Sequence, residues 1–265
     1  MERKIKLKKK LYAFIVNMIV FSPLVLMSQS RENMIVKIDS VYSKSLNEYR
    51  KYFIYIPSNL ERDISKCNII YATDGQEILN EEYIPILDSL VKKQIVSPTI
   101  LVGVFSNEKV IGHNFSQRQI EYVKNENRIY KDHKSFFINE LKSYILNKYS
   151  LNKKIDKTLF YGFSNGAAFG FDIFFNESKK FDYFICFSPL GVKNDEIVNF
   201  QRNNSKKLFM AYGKNEIFLA LDEYKKLSEL LKKNKFNYEE IVYDGGHDRK
   251  IWKKLFFQIL STNNF

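Results

Sequence analysis

The sequence predicts an α/β fold, a mostly parallel central sheet with helices on both faces. Three observations carry that expectation. Short runs rich in β-branched and aromatic residues alternate with longer stretches of helical periodicity. Several of those runs are apolar throughout instead of alternating, as strands buried on both faces of a parallel sheet are. The 265 residues are 45% hydrophobic and 15% aromatic. No internal repeat, low-complexity tract or linker interrupts the chain after about residue 35, so one packed domain is the economical reading.

The amino terminus stands apart from that domain. Met1 to Lys10 holds six of the 42 basic residues against Glu2 alone, a net +5 of the chain's +12, which leaves +7 for the rest. Leu11 to Ser30 is uncharged and strongly apolar as far as Met27, with small residues at Ser28 and Ser30 before the charged pair Arg31 and Glu32. A basic stretch, an apolar run and small residues in that order form an export signal. Residues 1–30 are therefore expected to be a signal peptide and 31–265 the working domain, exported to the periplasm or secreted. The alternative is an uncleaved anchor helix, the one circumstance in which stable membrane association is expected. The apolar run of about 17 residues is at the short limit for a bilayer span, and Asn17, Ser22 and Pro23 weaken it.

Charge and cysteine usage exclude other classes. Two cysteines, Cys67 and Cys186, cannot make a disulfide scaffold. In an oxidising compartment they pair if their Cα atoms lie close enough; two buried free thiols are the alternative. The basic residues are scattered and no nucleic-acid motif accompanies them, so no nucleic-acid partner is expected. The residual +7 would assist an anionic substrate, although a lysine-rich surface is the commoner meaning of such an excess.

Strands are expected at Tyr52–Ile56, Asn68–Ala72, Thr99–Val104, Thr158–Tyr161, Phe184–Phe187, Leu208–Tyr212 and Tyr238–Tyr243. Helices are expected at Gln76–Lys93, His133–Tyr149, Asn165–Phe175, Leu219–Lys233 and Asp248–Leu260. In the second of these, Phe137, Leu141, Tyr144, Ile145 and Lys148 fall at helical spacing. Ser106–Asp132 is long and polar, the signature of a functional loop or lid.

Gly162-Phe163-Ser164-Asn165-Gly166 fits G-x-S-x-G and lies between an expected strand and an expected helix. Composition alone would produce the pattern about 0.03 times in this chain, so a Gly-rich turn without chemistry is a weak account of it. A serine hydroxyl needs a base. In the α/β-hydrolase fold, whose strand-turn-helix elbow this matches, nucleophile, acid and histidine follow in that order along the chain. His247 is the one histidine after Ser164; His113 and His133 are expected at the surface, in loops or lining a pocket. Twelve carboxylates lie between Ser164 and His247. Glu216 is the best placed, after a strand and the turn Gly213-Lys214-Asn215, with Asp195 the competitor. The oxyanion hole is expected from the backbone amides of Asn165 and of Gln76, in Thr73-Asp74-Gly75-Gln76.

These residues resemble the esterases that include enterochelin and other siderophore esterases, feruloyl esterases and S-formylglutathione hydrolase. The resemblance spans roughly Lys51 to Phe256. Tyr52-Phe53-Ile54-Tyr55-Ile56-Pro57 resembles the family's strand ending in proline, and Ile70-Tyr71-Ala72-Thr73-Asp74-Gly75 its oxyanion strand and loop. Arg118-Gln119-Ile120-Glu121-Tyr122 matches its R-x-x-E-Y segment, and Glu140-Leu141 closes its F-x-x-x-E-L stretch. Gly213-Lys214-Asn215-Glu216 matches the turn before the acid, and Gly246-His247-Asp248 with Trp252 the G-H-D-x-x-x-W ending. Ala167 replaces a second glycine after the elbow, and the acid is Glu where many relatives have Asp.

The resemblance implies a serine esterase acting on small-molecule esters, siderophore or phenolic-acid esters among them, with Asp74, Arg118 and Trp252 as candidate substrate contacts. A structural ion pair between Arg118 and Glu121 is the plainer reading of those two. No metal or organic cofactor is expected, because three scattered histidines include no H-E-x-x-H. A reading from another class is a catalytically silent hydrolase fold that binds a polymer or protein at the cell envelope.

Overall fold

The computed structural model describes residues 35–58, 66–111, 115–192, 206–263 and 265. The expected signal peptide, His113 and Asp195 lie outside the described residues. Among those described, no helix is long and apolar enough to cross a membrane.

The strands are β1 (Ile35–Ser43), β2 (Glu48–Ile56), β3 (Cys67–Ala72), β4 (Thr99–Val104), β7 (Ile155–Phe163), β8 (Tyr183–Phe187), β9 (Lys207–Gly213) and β10 (Tyr238–Tyr243). A two-residue pair, β5 (Val110–Ile111) and β6 (Phe115–Ser116), stands apart. The main sheet runs β1-β2-β4-β3-β7-β8-β9-β10. β2 is antiparallel to both neighbours and every other adjoining pair is parallel. This order and direction is the α/β-hydrolase fold.

Side chains alternate across the sheet, as the two-residue period of a strand requires. Tyr52, Ile54, Ile69, Tyr71 and Phe160 enter one core, with Tyr122, Phe136, Phe137, Phe169 and Leu227 from the helices above. Phe53, Tyr55, Ile70, Leu101 and Tyr161 enter the other, against Ile78, Leu87, Trp252 and Phe256. The helices are α1 (Gly75–Asn80), α2 (Tyr83–Lys92), α3 (Gln117–Tyr122), α4 (Arg128–Ser135), α5 (Lys142–Lys148), α6 (Asn165–Asn176), α7 (Phe218–Lys233) and α8 (Arg249–Thr262). A π-helical turn at Phe136–Leu141 joins α4 to α5. Its Glu140 accepts from the Lys44 and Ser45 amides at 3.0 and 2.9 Å and so holds the β1–β2 turn.

The expected elements are present with four differences. β1 was not expected: among the described residues it pairs with β2 alone and exposes Val36 and Ile38, so it lacks the long apolar runs of the central strands. The helix expected at Gln76–Lys93 breaks at Glu82, which adopts a left-handed φ of 57°. Ser106–Asp132 is no continuous loop, since it contains β5, β6 and α3, and α4 begins within it. His133 is at neither the surface nor a pocket wall; it is fully buried among aromatic rings. Cys67 and Cys186 are both buried free thiols.

The register fixes where the loops emerge. Ala72 lies opposite Tyr161, Phe163 opposite Phe187, Phe187 opposite Ala211, and Tyr243 opposite Gly213. The carboxyl ends of β3, β7, β8, β9 and β10 thus open on one edge, where ligands of open α/β sheets bind.

Candidate active site

Ser164 follows β7 with φ 56° and ψ −129°, a conformation that costs a non-glycine residue free energy and must be held by its surroundings. Its N–H donates to the Phe187 carbonyl at 2.9 Å. Its own carbonyl accepts from Ala167, Ala168 and Leu190 at 3.0, 3.1 and 3.2 Å. The elbow also needs both motif glycines for space. A Cβ on Gly162 would lie 2.6 Å from the Gly166 carbonyl oxygen, and one on Gly166 would lie 2.2 Å from Thr73 Oγ1.

Asn165 begins α6 and Gln76 is the second residue of α1. First-turn helix amides have no intrahelical acceptor, and among the described residues neither of these two donates to a protein group. The Gln76 side chain is tied elsewhere: Oε1 accepts from the Ser106 amide at 3.0 Å, and Nε2 donates to Glu108 Oε1 at 2.9 Å and to the Ser106 hydroxyl.

Glu216 follows β9, and its Oε2 lies 2.9 Å from His247 Nδ1. The carboxylate side chain is 2% exposed and the imidazole 37%. Glu216 Oε1 is buried without a hydrogen-bond partner. The loops that carry the two residues are stitched together, since the Asn215 amide donates to the Gly245 carbonyl at 2.8 Å. Trp252 meets the imidazole edge-on at 4.6 Å and stacks on Phe163 at 5.1 Å. Its indole N–H donates to Tyr243 Oη at 2.8 Å and Ser188 Oγ at 3.1 Å. The Tyr243 hydroxyl donates to the Gly246 carbonyl at 2.9 Å, one residue before the histidine.

Ser164, His247, Gln76, Asp74, Arg118 and Trp252 line one cleft of about 300 Å³. No hydrogen bond joins Ser164 to His247 among the described residues; such contacts commonly tighten only when substrate is bound. Arg118 forks on Asp74, with Nε to Oδ1 at 2.5 Å and Nη2 to Oδ2 at 2.9 Å, and its Nη1 donates to Asn165 Oδ1 at 3.0 Å. Burial alone would lower the Arg118 pKa, but the Asp74 carboxylate holds it above its ordinary value. The expected Arg118–Glu121 pair is not formed. Glu121 is buried and forked by Arg50 from β2 at 2.6 and 2.9 Å, while Arg118 reaches the cleft. The other cleft arginine, Arg249, pairs with Glu77, so Glu108 faces no unpaired cation in the lining. Among the described residues no group of three His, Cys, Asp or Glu side chains is placed to hold a metal ion.

Sequence reasoning missed Ser188, Tyr243 and the Gln76–Ser106–Glu108 link. Ser188 and Tyr243 lie at the carboxyl ends of β8 and β10, so the strand-end rule that selected Glu216 reaches them too. Ser106 is linked to the site only through tertiary contact.

The sequence matches the model of a family described as "Putative esterase" over residues 43–262. Comparison with curated proteins finds no match. Among solved structures, a ferulic acid esterase from the anaerobic fungus Anaeromyces mucronatus is 20% identical with a TM-score of 0.65, covering 87% of this chain and 90% of that one. An IroE-like serine hydrolase from Shewanella oneidensis is 14% identical with a TM-score of 0.66, covering 86% and 79%. The enterobactin esterase of Shigella flexneri is 15% identical with a TM-score of 0.68, covering 86% of this chain but 58% of the longer protein. At these identities the likeness is one of fold.

Proposed function

The chain belongs to the "Putative esterase" family and is a carboxylic ester hydrolase, and we propose that it works through an acyl-enzyme on Ser164, with His247 as base and Glu216 as the acid that orients it. The observation that carries this reading is the 2.9 Å contact between Glu216 Oε2 and His247 Nδ1 beside a serine in a strained elbow. A carboxylate on Nδ1 keeps the proton there and leaves the Nε2 lone pair free. Ser164 Oγ attacks the ester carbonyl while Nε2 takes its proton. The Asn165 and Gln76 amides stabilise the oxyanion, and the imidazolium protonates the departing alcohol. Water then attacks the acyl-enzyme with the same base, and the acid leaves. Each hole donor contributes about 10²- to 10³-fold in turnover.

For substrate, the reading favours an uncharged phenolic-acid ester over a ferric catecholate. Both cleft arginines are already paired, and Glu108 adds negative charge at the mouth. A polyanionic siderophore therefore meets no free cation there, whatever the +7 of the domain contributes at a distance. We also propose that residues 1–30 direct export and are removed, so that the esterase works outside the cytoplasm.

Fluorophosphonate labelling tests the mechanism, because it requires an activated serine. Labelling at Ser164, together with loss of p-nitrophenyl ester hydrolysis in Ser164→Ala, is the expected result. An unlabelled Ser164, or unchanged hydrolysis in the variant, would leave a silent binding fold as the better account. Competition between a neutral feruloyl ester and a ferric catecholate triester tests the substrate class, and preference for the catecholate overturns it.

A further inference from the structure

We infer that Arg118 is a positioning residue that clamps the two walls of the oxyanion hole together, and not a contact for substrate. The inference rests on the Ser164 acyl-enzyme reading.

The two hole donors belong to chain segments far apart in sequence. Gln76 lies past β3 and Asn165 past β7. The strands pair as far as Ala72 and Tyr161, and the Thr73 amide adds one more bond to the Tyr161 carbonyl at 3.1 Å. Beyond Thr73 the first segment turns away through Asp74, whose φ is 55°. No backbone hydrogen bond joins the segments past that point among the described residues.

Arg118 closes the gap. Nε and Nη2 hold both oxygens of Asp74, and Nη1 holds Asn165 Oδ1. The far end of the Asn165 amide donates to the Leu190 carbonyl at 3.0 Å, so that side chain is fixed at both ends. Beneath the guanidinium, the Tyr122 ring lies 5.2 Å from Cζ, and its hydroxyl accepts from the Asp74 amide at 3.4 Å. Asp74 itself is 1% exposed.

Three of the five guanidinium donors, including the whole Nε–Nη2 bidentate edge, are thereby spent on protein. A planar fork holds acceptors on two segments at a fixed spacing, whereas a lysine ammonium is a point charge with no such fork. The hole works only if its donors sit where the oxyanion forms, and a misplacement of about 1 Å costs about 10²-fold.

The test compares wild type with Arg118→Lys, Asn165→Ala and the double variant, with active sites titrated by fluorophosphonate so that unfolded protein is not counted. Arg118→Lys keeps a cation beside buried Asp74 but cannot span to Asn165. We expect kcat on p-nitrophenyl butyrate to fall about 10- to 100-fold with KM within about twofold. Inhibition by an aryl trifluoromethyl ketone should weaken by the same factor. That ketone is attacked by Ser164 Oγ, with the proton passing to His247, and its tetrahedral adduct places an oxyanion in the hole. The double variant should be no worse than the poorer single variant, because both break one linkage. A raised KM with unchanged kcat, an unchanged ketone affinity, or additive losses in the double variant would overturn the clamp. An unlabelled wild type would instead remove the acyl-enzyme reading, so the two failures are distinguishable.

Discussion

His133→Phe should flatten the acid limb of the stability curve. His133 is fully buried on α4, with neither ring nitrogen hydrogen-bonded. Four aromatic rings surround it: Tyr122 at 5.4 Å, Phe136 at 6.0 Å, Phe137 at 6.4 Å and Phe169 at 5.3 Å. The charges that face it are Glu121 from α3, 3.6 Å from Nδ1, and Arg50 from β2, which forks the same carboxylate. Burial, and then Arg50, holds its pKa well below the ordinary imidazole value. In the unfolded chain His133 takes up a proton near pH 6.5, while in the folded chain it stays neutral. Its contribution is therefore complete above that pH and is lost as the pH falls below it. The loss approaches about 1.4 kcal/mol per pH unit for as long as the folded imidazole resists protonation. Phenylalanine does not titrate and fits a site already walled by rings. Urea unfolding of both proteins at pH 8, 6.5 and 5 reads the difference directly. The variant should lie within about 1 kcal/mol of wild type at pH 8 and gain on it steadily below pH 6.5. The carboxylates whose pKa values folding lowers, Asp39, Glu140, Asp172 and Asp182, titrate mainly below this window. A difference between the two proteins that stays constant from pH 8 to pH 5 would refute the reasoning.

Glu216→Gln should cut kcat about 10³- to 10⁴-fold, since an amide no longer enforces the Nδ1–H tautomer. Its melting temperature should hold, because Glu216 Oε1 is already buried without a partner; a loss of activity under tenfold would count against Glu216 as the acid. Gly166→Ala brings a Cβ to 2.2 Å from Thr73 Oγ1 and 3.0 Å from Asp74 Oδ2. That substitution should cost about 1–3 kcal/mol in thermal unfolding and at least about tenfold in titrated kcat by pushing the hole loop outward; normal values for both would show that the elbow has room.

What could be read in the sequence followed burial. β3 and β4 are buried along their whole length, so the apolar runs that follow Asn68 and Thr99 announced them within a residue of their true ends. β1 has an outward face and mostly exposed residues, which leaves no such signature. The order Ser164, Glu216, His247 was legible because the strand ends present those residues at one edge whatever the details of packing. The partners of Arg118 and Glu121 were not legible. These two residues are three apart on one short helix, yet they pair with Asp74 and Arg50, 44 and 71 positions away. Local spacing suggested that they meet each other; tertiary packing sends them to different partners.

That division extends to the proposed site, which is built as two halves that meet at Ser164. The base half hangs from β9 and β10: Glu216 on His247, with the imidazole backed by Trp252 and its loop tied by Tyr243. The hole half hangs from β3 and β7, with Asp74 and Asn165 joined through Arg118. Ser164 bonds across to Phe187, and the next residue, Ser188, accepts from Trp252, so the elbow is anchored to the base half through β8. An ion pair joins the halves, Arg249 of α8 on Glu77 of α1, and neither Arg118 nor the Glu216–His247 pair takes part in it. A change at Arg118 should therefore lower turnover without moving the pH dependence expected of His247 as the proposed base, whereas changes around Tyr243 and Trp252 should move that dependence while leaving oxyanion binding intact. Rate against pH for Arg118→Lys and for Tyr243→Phe separates the two. An altered pH profile in Arg118→Lys would mean that the clamp reaches the histidine as well, and the two-half description would have to be given up.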